Sequence, residues 1–584
     1  MAEKIELLRA LMRAKGWDAV VVTGSDPHCS EYPAERWKQV EWLSGFTGEA
    51  GDLVVTLDHA GLWTDTRYFI QANQQLAGTG IELHKMRVPE QVPIPDWLRA
   101  QFGDDGLIAV DGLSTGAEFA QSLPGTVLSV PDLLSRFWTD RPGVPQTPVF
   151  TVDPGESRAE KRTWIRRFLQ ERECDGILLT ALDEVAWMLN VRASDIEYNP
   201  LVISYLLITQ EETRWYVLKD EVEDPESKET FSTLASEGID LLPYDDIDFL
   251  GAEFRGRLFV DPSTLNYQLY NNFISAGVPL EEGTSPVALR KAVKNPREIA
   301  GMREVHLQDG LAVERFLYWL EKSLEAGREI TERDAAVKLG QLRADIPGYQ
   351  GDSFETISAY GPGAALPHYI TPRQYAPVIR EGGLYLCDSG GQYTCGTTDI
   401  TRTVPTGRCT ALEREDYTLV LKGHIDLAMA VFPEGTPGCR LDILARAPLW
   451  RSKRNFGHGT GHGVGWFLGV HEGPHEFRQN FNAVPFQPGM VVTDEPGIYR
   501  EGKHGVRHEN VLLCVSAGES EFGRWLAFEP LTLCHFDTSA LEVSLLDRSE
   551  IDWLNAYNER VWQTLSPKLP REIADWLREK TLPI

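Results

Sequence analysis

At 584 residues the chain is too long for one hydrophobic core and should divide into roughly two to four domains. Its 42% hydrophobic and 24% charged residues exclude a disordered or fibrous protein. The excess of 86 acidic over 57 basic residues, a net charge of −29, argues against nucleic acid or an anionic membrane as partner. The opening segment MAEKIELLRALMRAKGWDAVVV predicts a helix over residues 4–15 and a buried strand at Ala19–Val22, and it lacks the apolar core of a signal peptide. No stretch reaches the roughly 18 apolar residues of a membrane span. A cytoplasmic protein is therefore the expectation. Strands at Asp52–Leu57 and Gly61–Thr64 follow, and helix, strand and glycine turn recur to residue 135 as in an α/β domain. The Pro-rich RPGVPQTPVF, residues 141–150, reads as a linker.

A second unit repeats the theme. A charged helix over residues 157–173 precedes a strand at Gly176–Leu179, a helix in ALDEVAWMLN, and strands at Leu201–Thr209 and Arg214–Leu218. The openings KGWDAVVV and RECDGILL are alike enough to point to a duplicated fold. From Ile299 to Asp345 apolar residues return every three or four positions, which predicts long helices with Glu321 and Lys322 as ordinary surface. After Gly351 the texture changes to strands and glycine loops, and Leu541–Leu582 closes the chain with two amphipathic helices expected to pack on the last domain. The eight cysteines include no CxxC pair, so neither a disulfide scaffold nor a thiolate zinc site is expected, and Cys387, Cys395 and Cys409 read as small buried hydrophobes.

Chemistry concentrates in the last third. Eight of the thirteen histidines lie between positions 368 and 508. GGLYLCDSGGQYTCGTTDITRTV reads as two strands around a Gly-Gly turn, with Asp388 late in one and Asp399 entering the next. Carboxylates in core-facing β structure are costly unless paired or metal-bound. NFGHGTGHGVGWFLGVHEGP sets His458, His462 and His471 among glycines that permit close approach of a ligand. Glu495 ends an apolar strand before a Pro-Gly turn, and Glu509 in HGVRHENVLLC precedes another apolar run. Four carboxylates and an imidazole form an oxygen-rich donor set suited to Mn²⁺, Mg²⁺ or a related ion. Like charges so placed raise one another's pKa unless cations neutralise them, and two dications do so in two-metal hydrolases.

These segments resemble the pita-bread metallopeptidases, and the whole chain is similar to the three-domain Xaa-Pro aminopeptidase (aminopeptidase P) family. SGFTGEAG, LWTDTRYF, AWMLNVRASDIEYNP and DWLNAYNERV carry the likeness outside the last domain. The resemblance implies two N-terminal creatinase-like α/β domains, residues 1–150 and 151–296, a pita-bread catalytic domain of mixed α+β character, 297–540, and a helical extension, 541–584. It implies that Asp388 binds one metal, that Asp399 and Glu509 bridge both, and that His462 and Glu495 complete the second. His368 in ALPHY, His458 and His471 match substrate-contacting histidines, Arg507 an arginine beside the last ligand, and Tyr499 a tyrosine after the Glu-Pro turn. The chain departs from the family at Ala193, Gly363, Asp494 and His508. The last two stand beside ligands, where hydrogen bonding around the metals and metal preference are tuned.

The implied reaction is hydrolysis of the N-terminal Xaa-Pro bond of a peptide by a water or hydroxide bridging two divalent ions. Mn²⁺ is the leading choice, with Zn²⁺ or Co²⁺ as alternatives. Glu495 would relay the proton, while His471, His368 and His458 stabilise the oxyanion or orient the substrate. For Arg507, substrate contact stands beside a salt bridge that holds a ligand carboxylate. An X-Pro bond lacks an N–H and is restricted in shape, so a snug pyrrolidine pocket would select it, with Trp466, Phe467 and Tyr499 as candidate walls. The implied partners are peptides with proline second and a second copy of the chain in a homodimer, with no nucleic acid and no membrane. A prolidase-like dipeptidase would share every ligand. A catalytically silent pita-bread scaffold that binds proteins is the alternative from another class.

Overall fold

The computed structural model describes residues 1–218 and 224–584, which form two compact units, Met1–Ala288 and Leu289–Ile584. The first unit holds two six-stranded sheets. One is built from β1 (Ala19–Val22), β2 (Asp52–Thr56), β3 (Ala60–Thr64), β4 (Glu82–Lys85), β5 (Leu107–Val110) and β6 (Thr126–Ser129), in the order β4-β3-β2-β1-β5-β6. The other uses β7 (Gly176–Leu179), β8 (Ser204–Thr209), β9 (Thr213–Val217), β10 (Asp240–Pro243), β11 (Leu258–Val260) and β12 (Leu280–Glu282), in the order β10-β9-β8-β7-β11-β12. In the first sheet β1–β2 and β2–β3 run antiparallel while β3–β4, β1–β5 and β5–β6 run parallel. The second repeats this strand for strand. The central strands AVVV and GILL are buried at every position. Such continuous apolar runs belong to strands covered on both faces. In front of each lies a helix: α1 (Ala2–Lys15) buries Ile5, Leu8 and Met12 at helical spacing, and α2 (Arg158–Glu171) starts at a Ser157/Glu160 capping box worth about 1 kcal/mol. The duplication expected from the two openings is thus present in the topology.

The second unit begins on α3 (Pro296–Glu325), started by an Asn295/Glu298 capping box with proline at the first helical position. Its buried Met302, Val305, Asp309, Val313, Phe316 and Leu320 form one stripe at helical spacing. α4 (Glu332–Ala344) follows. Next comes an antiparallel three-stranded sheet of β13 (Ile357–Tyr360), β14 (Leu384–Ser389) and β15 (Ile400–Pro405). An antiparallel six-stranded sheet is formed by β16 (Val431–Pro433), β17 (Gly461–Gly463), β18 (Glu472–Phe477), β19 (Val491–Asp494), β20 (Asn510–Ser520) and β21 (Gly523–Pro530), in the order β16-β21-β20-β19-β17-β18. Helices α5 (Ala411–Ala428) and α6 (Asp442–Arg451) pack together beside it. The closing helices α7 (Arg548–Leu565) and α8 (Arg571–Lys580) place Leu554, Val561, Leu565, Trp576 and Leu577 in the same core as Phe316, Leu317 and Leu320 of α3. Each such fully buried side chain contributes about 1.5–3 kcal/mol.

Three local expectations change. The segment 383–405 is not a simple pair of strands: β14 and β15 pair with each other, and a small hairpin, Gly391–Tyr393 with Gly396–Thr397, is inserted between them. Glu321 is not idle surface, because it accepts a hydrogen bond from Trp576 Nε1 (2.9 Å) and pairs with Lys580 (2.6 Å), fastening α8 to α3. Of the three clustered cysteines only Cys387 is buried, and all eight cysteines are free thiols.

Candidate metal centre

Strand register brings the five proposed donors together. Asp388 lies opposite Thr401 in the β14–β15 pair, and Asp399 immediately precedes Ile400, the partner of Ser389. Both carboxylates therefore emerge at the same end of this sheet. Glu509 precedes β20 and is hooked to the same strand: its N–H donates to Thr401 O (3.1 Å), and Thr401 Oγ1 donates to Glu509 Oε2 (2.8 Å). Glu495 follows β19 and donates its N–H to Thr460 O (2.8 Å), beside β17, which carries His462. The glycines around His462 are required there. A Cβ on Gly461 would lie 1.9 Å from Thr493 O, and one on Gly463 would lie 2.2 Å from Glu472 O. His462 Nε2 ends 3.5 Å from Asp399 Oδ2 and 3.6 Å from Glu495 Oε1. Asp399, His462 and Glu509 can each offer a ligand atom with all three atoms within 4.8 Å of one another.

The electrostatics call for positive charge. Burial pushes the carboxyl of Asp399 well above the usual range, Asp388 and Glu495 push it further, and His471 and Arg507 pull back. Glu509 is raised likewise, by burial first and then by Asp399, Glu495 and Asp388. One arginine is present: Arg507 pairs through Nη2 with Asp388 Oδ2, and donates to Thr401 Oγ1 (3.2 Å) and Tyr499 OH (2.7 Å). Asp388 Oδ1 is nevertheless buried with no hydrogen-bond partner, an expensive state for a carboxylate. His462 Nδ1 lies 3.0 Å from Gly463 O. A donor role for Nδ1 leaves the Nε2 lone pair facing two carboxylate oxygens, an arrangement that a cation between them makes favourable. Carboxylates crowded around an imidazole, with an orphaned buried oxygen among them, fit hard-to-borderline divalent ions.

The other singled-out residues form a rim. His458 Nε2 is 2.7 Å from Tyr499 OH, its Nδ1 is 2.6 Å from Gly459 O, and burial holds its pKa well below the ordinary imidazole value, with Arg507 and His368 acting in the same direction. The rings of His471 and His462 are 4.1 Å apart, edge to face. His368 is half-buried in the loop after β13. Trp466 and Phe467 are buried. Asp494 and His508 point away from the centre: Asp494 Oδ2 is 3.2 Å from His424 Nδ1 and the His508 ring meets Tyr417 edge to face, both on α5. Their chain neighbours Glu495 and Glu509 instead meet His462 and Thr401, so adjacent residues serve opposite sides.

Sequence reasoning missed the residues that hold the rim. Arg446 pairs with Asp442 (2.6 Å) and donates to Phe456 O and His458 O (2.8 Å each), fixing the histidine loop. Arg402 donates to Glu509 O (2.6 Å), Cys534 O (2.7 Å) and Asn510 Oδ1 (2.8 Å). Its place in TDITRT beside Asp399 was the available signal. His424, His475 and His504 belong to the histidine-rich region but not to the centre: they face Asp494, Val491 O and Asp416 respectively.

Comparison with known proteins accounts for the whole chain. Residues 300–516 match metallopeptidase family M24, residues 4–133 and 140–298 each match the creatinase/prolidase N-terminal domain, and 524–584 match the C-terminal region of peptidase M24. Aminopeptidase P1 of Arabidopsis thaliana is 37% identical over 652 aligned positions, covering 100% of this chain and 99% of the relative. The X-prolyl aminopeptidase of Caenorhabditis elegans, described as a cytosolic enzyme with a di-nuclear active site, superposes with a TM-score of 0.94 at 35% identity over 100% of both chains. An Xaa-Pro dipeptidase from Bacillus anthracis covers only 65% of this chain, with a TM-score of 0.52 at 26% identity. With creatinase-like N-terminal domains, an M24 domain and full-length identity of this order, the chain belongs to the aminopeptidase P family of metallopeptidases.

Proposed function

We propose that this protein is a metal-dependent aminopeptidase that removes the first residue of peptides whose second residue is proline. The observation that carries the reading is the full-length likeness to an X-prolyl aminopeptidase with a di-nuclear site, since the dipeptidase covers only 65% of the chain. Asp388, Asp399, His462, Glu495 and Glu509 would hold two divalent ions, with Asp399 and Glu509 shared between them. Bound there, the ions supply Lewis acidity toward the scissile carbonyl and a nucleophile available near neutral pH. Mn²⁺ is the proposed ion because oxygen donors predominate. Glu495 accepts and relays the proton. His471 and His368 orient the substrate or donate to the developing oxyanion. His458 acts beside them, as a neutral ring tied to Tyr499. Arg507 keeps Asp388 in place and is thereby a positioning residue, which its salt bridge supports.

A cytosolic homodimer is part of the proposal. The nematode relative is described as cytosolic, and among the described residues no helix is long and apolar enough to cross a membrane. The test is hydrolysis of Arg-Pro-Pro by metal-stripped protein, with Mn²⁺, Zn²⁺, Co²⁺ or Mg²⁺ restored separately and Asp399→Ala as control. Release of arginine with one ion, greatest with Mn²⁺ and lost in the variant, is the expected result. No release with any ion from folded protein, or cleavage confined to the dipeptide Gly-Pro, overturns the reading. Sedimentation of the same sample checks the dimer.

A further inference from the structure

The first unit carries a second cluster of metal-binding side chains, separate from every residue discussed above. His59 stands just before β3, and β3 and β4 pair in parallel with Gly61 beside Glu82 and Trp63 beside His84. Alternate residues of a strand share a face, so His59, Gly61 and Trp63 share one side of the sheet with Glu82 and His84. His59 Nε2 and His84 Nε2 are 3.2 Å apart, and Glu82 Oε2 is 3.8 Å from His59 Nδ1. One ligand atom from each of the three can be chosen with all of them within 4.8 Å of one another.

Three features make this a built site. The nitrogen spacing fits an ion: two imidazole nitrogens each ~2.0–2.1 Å from a tetrahedral zinc stand about 3.3 Å apart. The space is reserved, because a Cβ on Gly61 would lie 2.7 Å from both Nε2 atoms. The rings are held: His84 stacks on Trp63 at 3.7 Å with planes 4° apart, and Trp97 closes on His59 at 4.9 Å. Burial lowers the pKa of both imidazoles, and His59 lowers that of His84 further, so both rings are neutral and able to donate at pH 7. β4 is an edge strand, and the Glu82 side chain is 69% exposed, which gives an ion a way in and gives the carboxylate room to swing onto it.

We propose that His59, His84 and Glu82 bind one transition-metal ion of the Zn²⁺, Cu²⁺ or Ni²⁺ class, tying edge strand β4 to the turn before β3. The inference stands whether or not the proposed peptidase activity does. An imidazole–imidazole hydrogen bond alone would give the same nitrogen spacing, and ion counting separates the two. Full-length protein is stripped, dialysed against Zn²⁺ and analysed by elemental mass spectrometry, alongside His59→Ala/His84→Ala and the milder Glu82→Gln. The expected result is one zinc fewer per chain in the double variant, with Xaa-Pro hydrolysis unchanged. Glu82→Gln should retain the fold and weaken that ion about tenfold or more, since losing the ligand carboxylate costs at least as much as losing a partner behind a ligand. Cu²⁺ should quench part of the tryptophan emission of wild-type protein but not of the double variant, through Trp63 and Trp97. Equal zinc counts in all three proteins, or quenching that survives the double substitution, overturns the site.

Discussion

Around Glu495 and Glu509 the same strand ends bury ionisable groups on both sides, and the two sides meet the cost differently. Toward the centre stand Asp388, Asp399, Glu495 and Glu509, whose mutual repulsion no resident arginine balances: Arg507 engages Asp388 and leaves that residue's other oxygen bare. Toward α5 stand Asp494 and His508. There burial pushes the Asp494 carboxyl up to about 6 while His424 pulls the other way, and burial keeps His508 a neutral ring between Tyr417 and Phe536. On the proposed reading one side is completed by cations from outside the chain; on the other, burial favours the uncharged forms of Asp494 and His508, and aromatic rings pack on His508. The departures at Asp494 and His508 therefore fall on the α5 side, away from the proposed ligands.

The comparison can be broken in several places, the largest effect first. Asp399→Ala should lower kcat/KM for an Xaa-Pro peptide by about 10³-fold or more, because a group proposed to serve both ions is lost. Arg507→Ala should cost about 10–100-fold in activity or metal affinity, as loss of a partner behind a ligand does. Titrating activity against Mn²⁺ in that variant checks it, and Arg507→Lys should recover only part, since Lys lacks the fork that reaches Asp388, Thr401 and Tyr499 together.

Metal removal tests the same side by stability. Ions at a hundredfold excess over Kd contribute about 2.7 kcal/mol each through mass action. Chelation should therefore lower the Tm of the second unit, and by less in Asp399→Ala, as calorimetry would record. His475 offers a control outside the centre. Burial, with Lys294 adding to it, depresses this imidazole from 6.5 to about 4, while its contact with Val491 O (2.7 Å) opposes the shift. Because the folded pKa is depressed, its stabilising contribution is present above pH 6.5 and is lost as pH falls through about 4. The span corresponds to about 3 kcal/mol. Denaturant unfolding between pH 7 and 4 should show His475→Gln less acid-sensitive than wild type. The smallest effect is expected at Asp494→Asn: kcat/KM within about threefold of wild type and stability altered by about 1–3 kcal/mol. A large kinetic loss there would end the distinction between the two sides.

Much of this was legible in the sequence. The strands AVVV and GILL, the helical run from Ile299 and the amphipathic closing helices follow from apolar spacing, which acts over a few positions. The donors stood out because carboxylates and glycine-flanked histidines in otherwise apolar strands have no cheap alternative use. Other features depended on pairings distant along the chain. Thr401 and Arg402 brace Glu509 across more than a hundred residues, Glu321 meets Trp576 and Lys580, and the hairpin inserted between β14 and β15 appears only once those strands pair.

The main helices and strands, the duplication in the first unit and the donor types thus follow from local sequence, because periodicity and residue chemistry are local properties. Long-range pairing set which way each charged group faces: Asp494 meets His424 while its neighbour Glu495 meets His462, and His59 and His84 converge over Gly61. Those outcomes depend on register, where a shift of one residue would exchange the two faces.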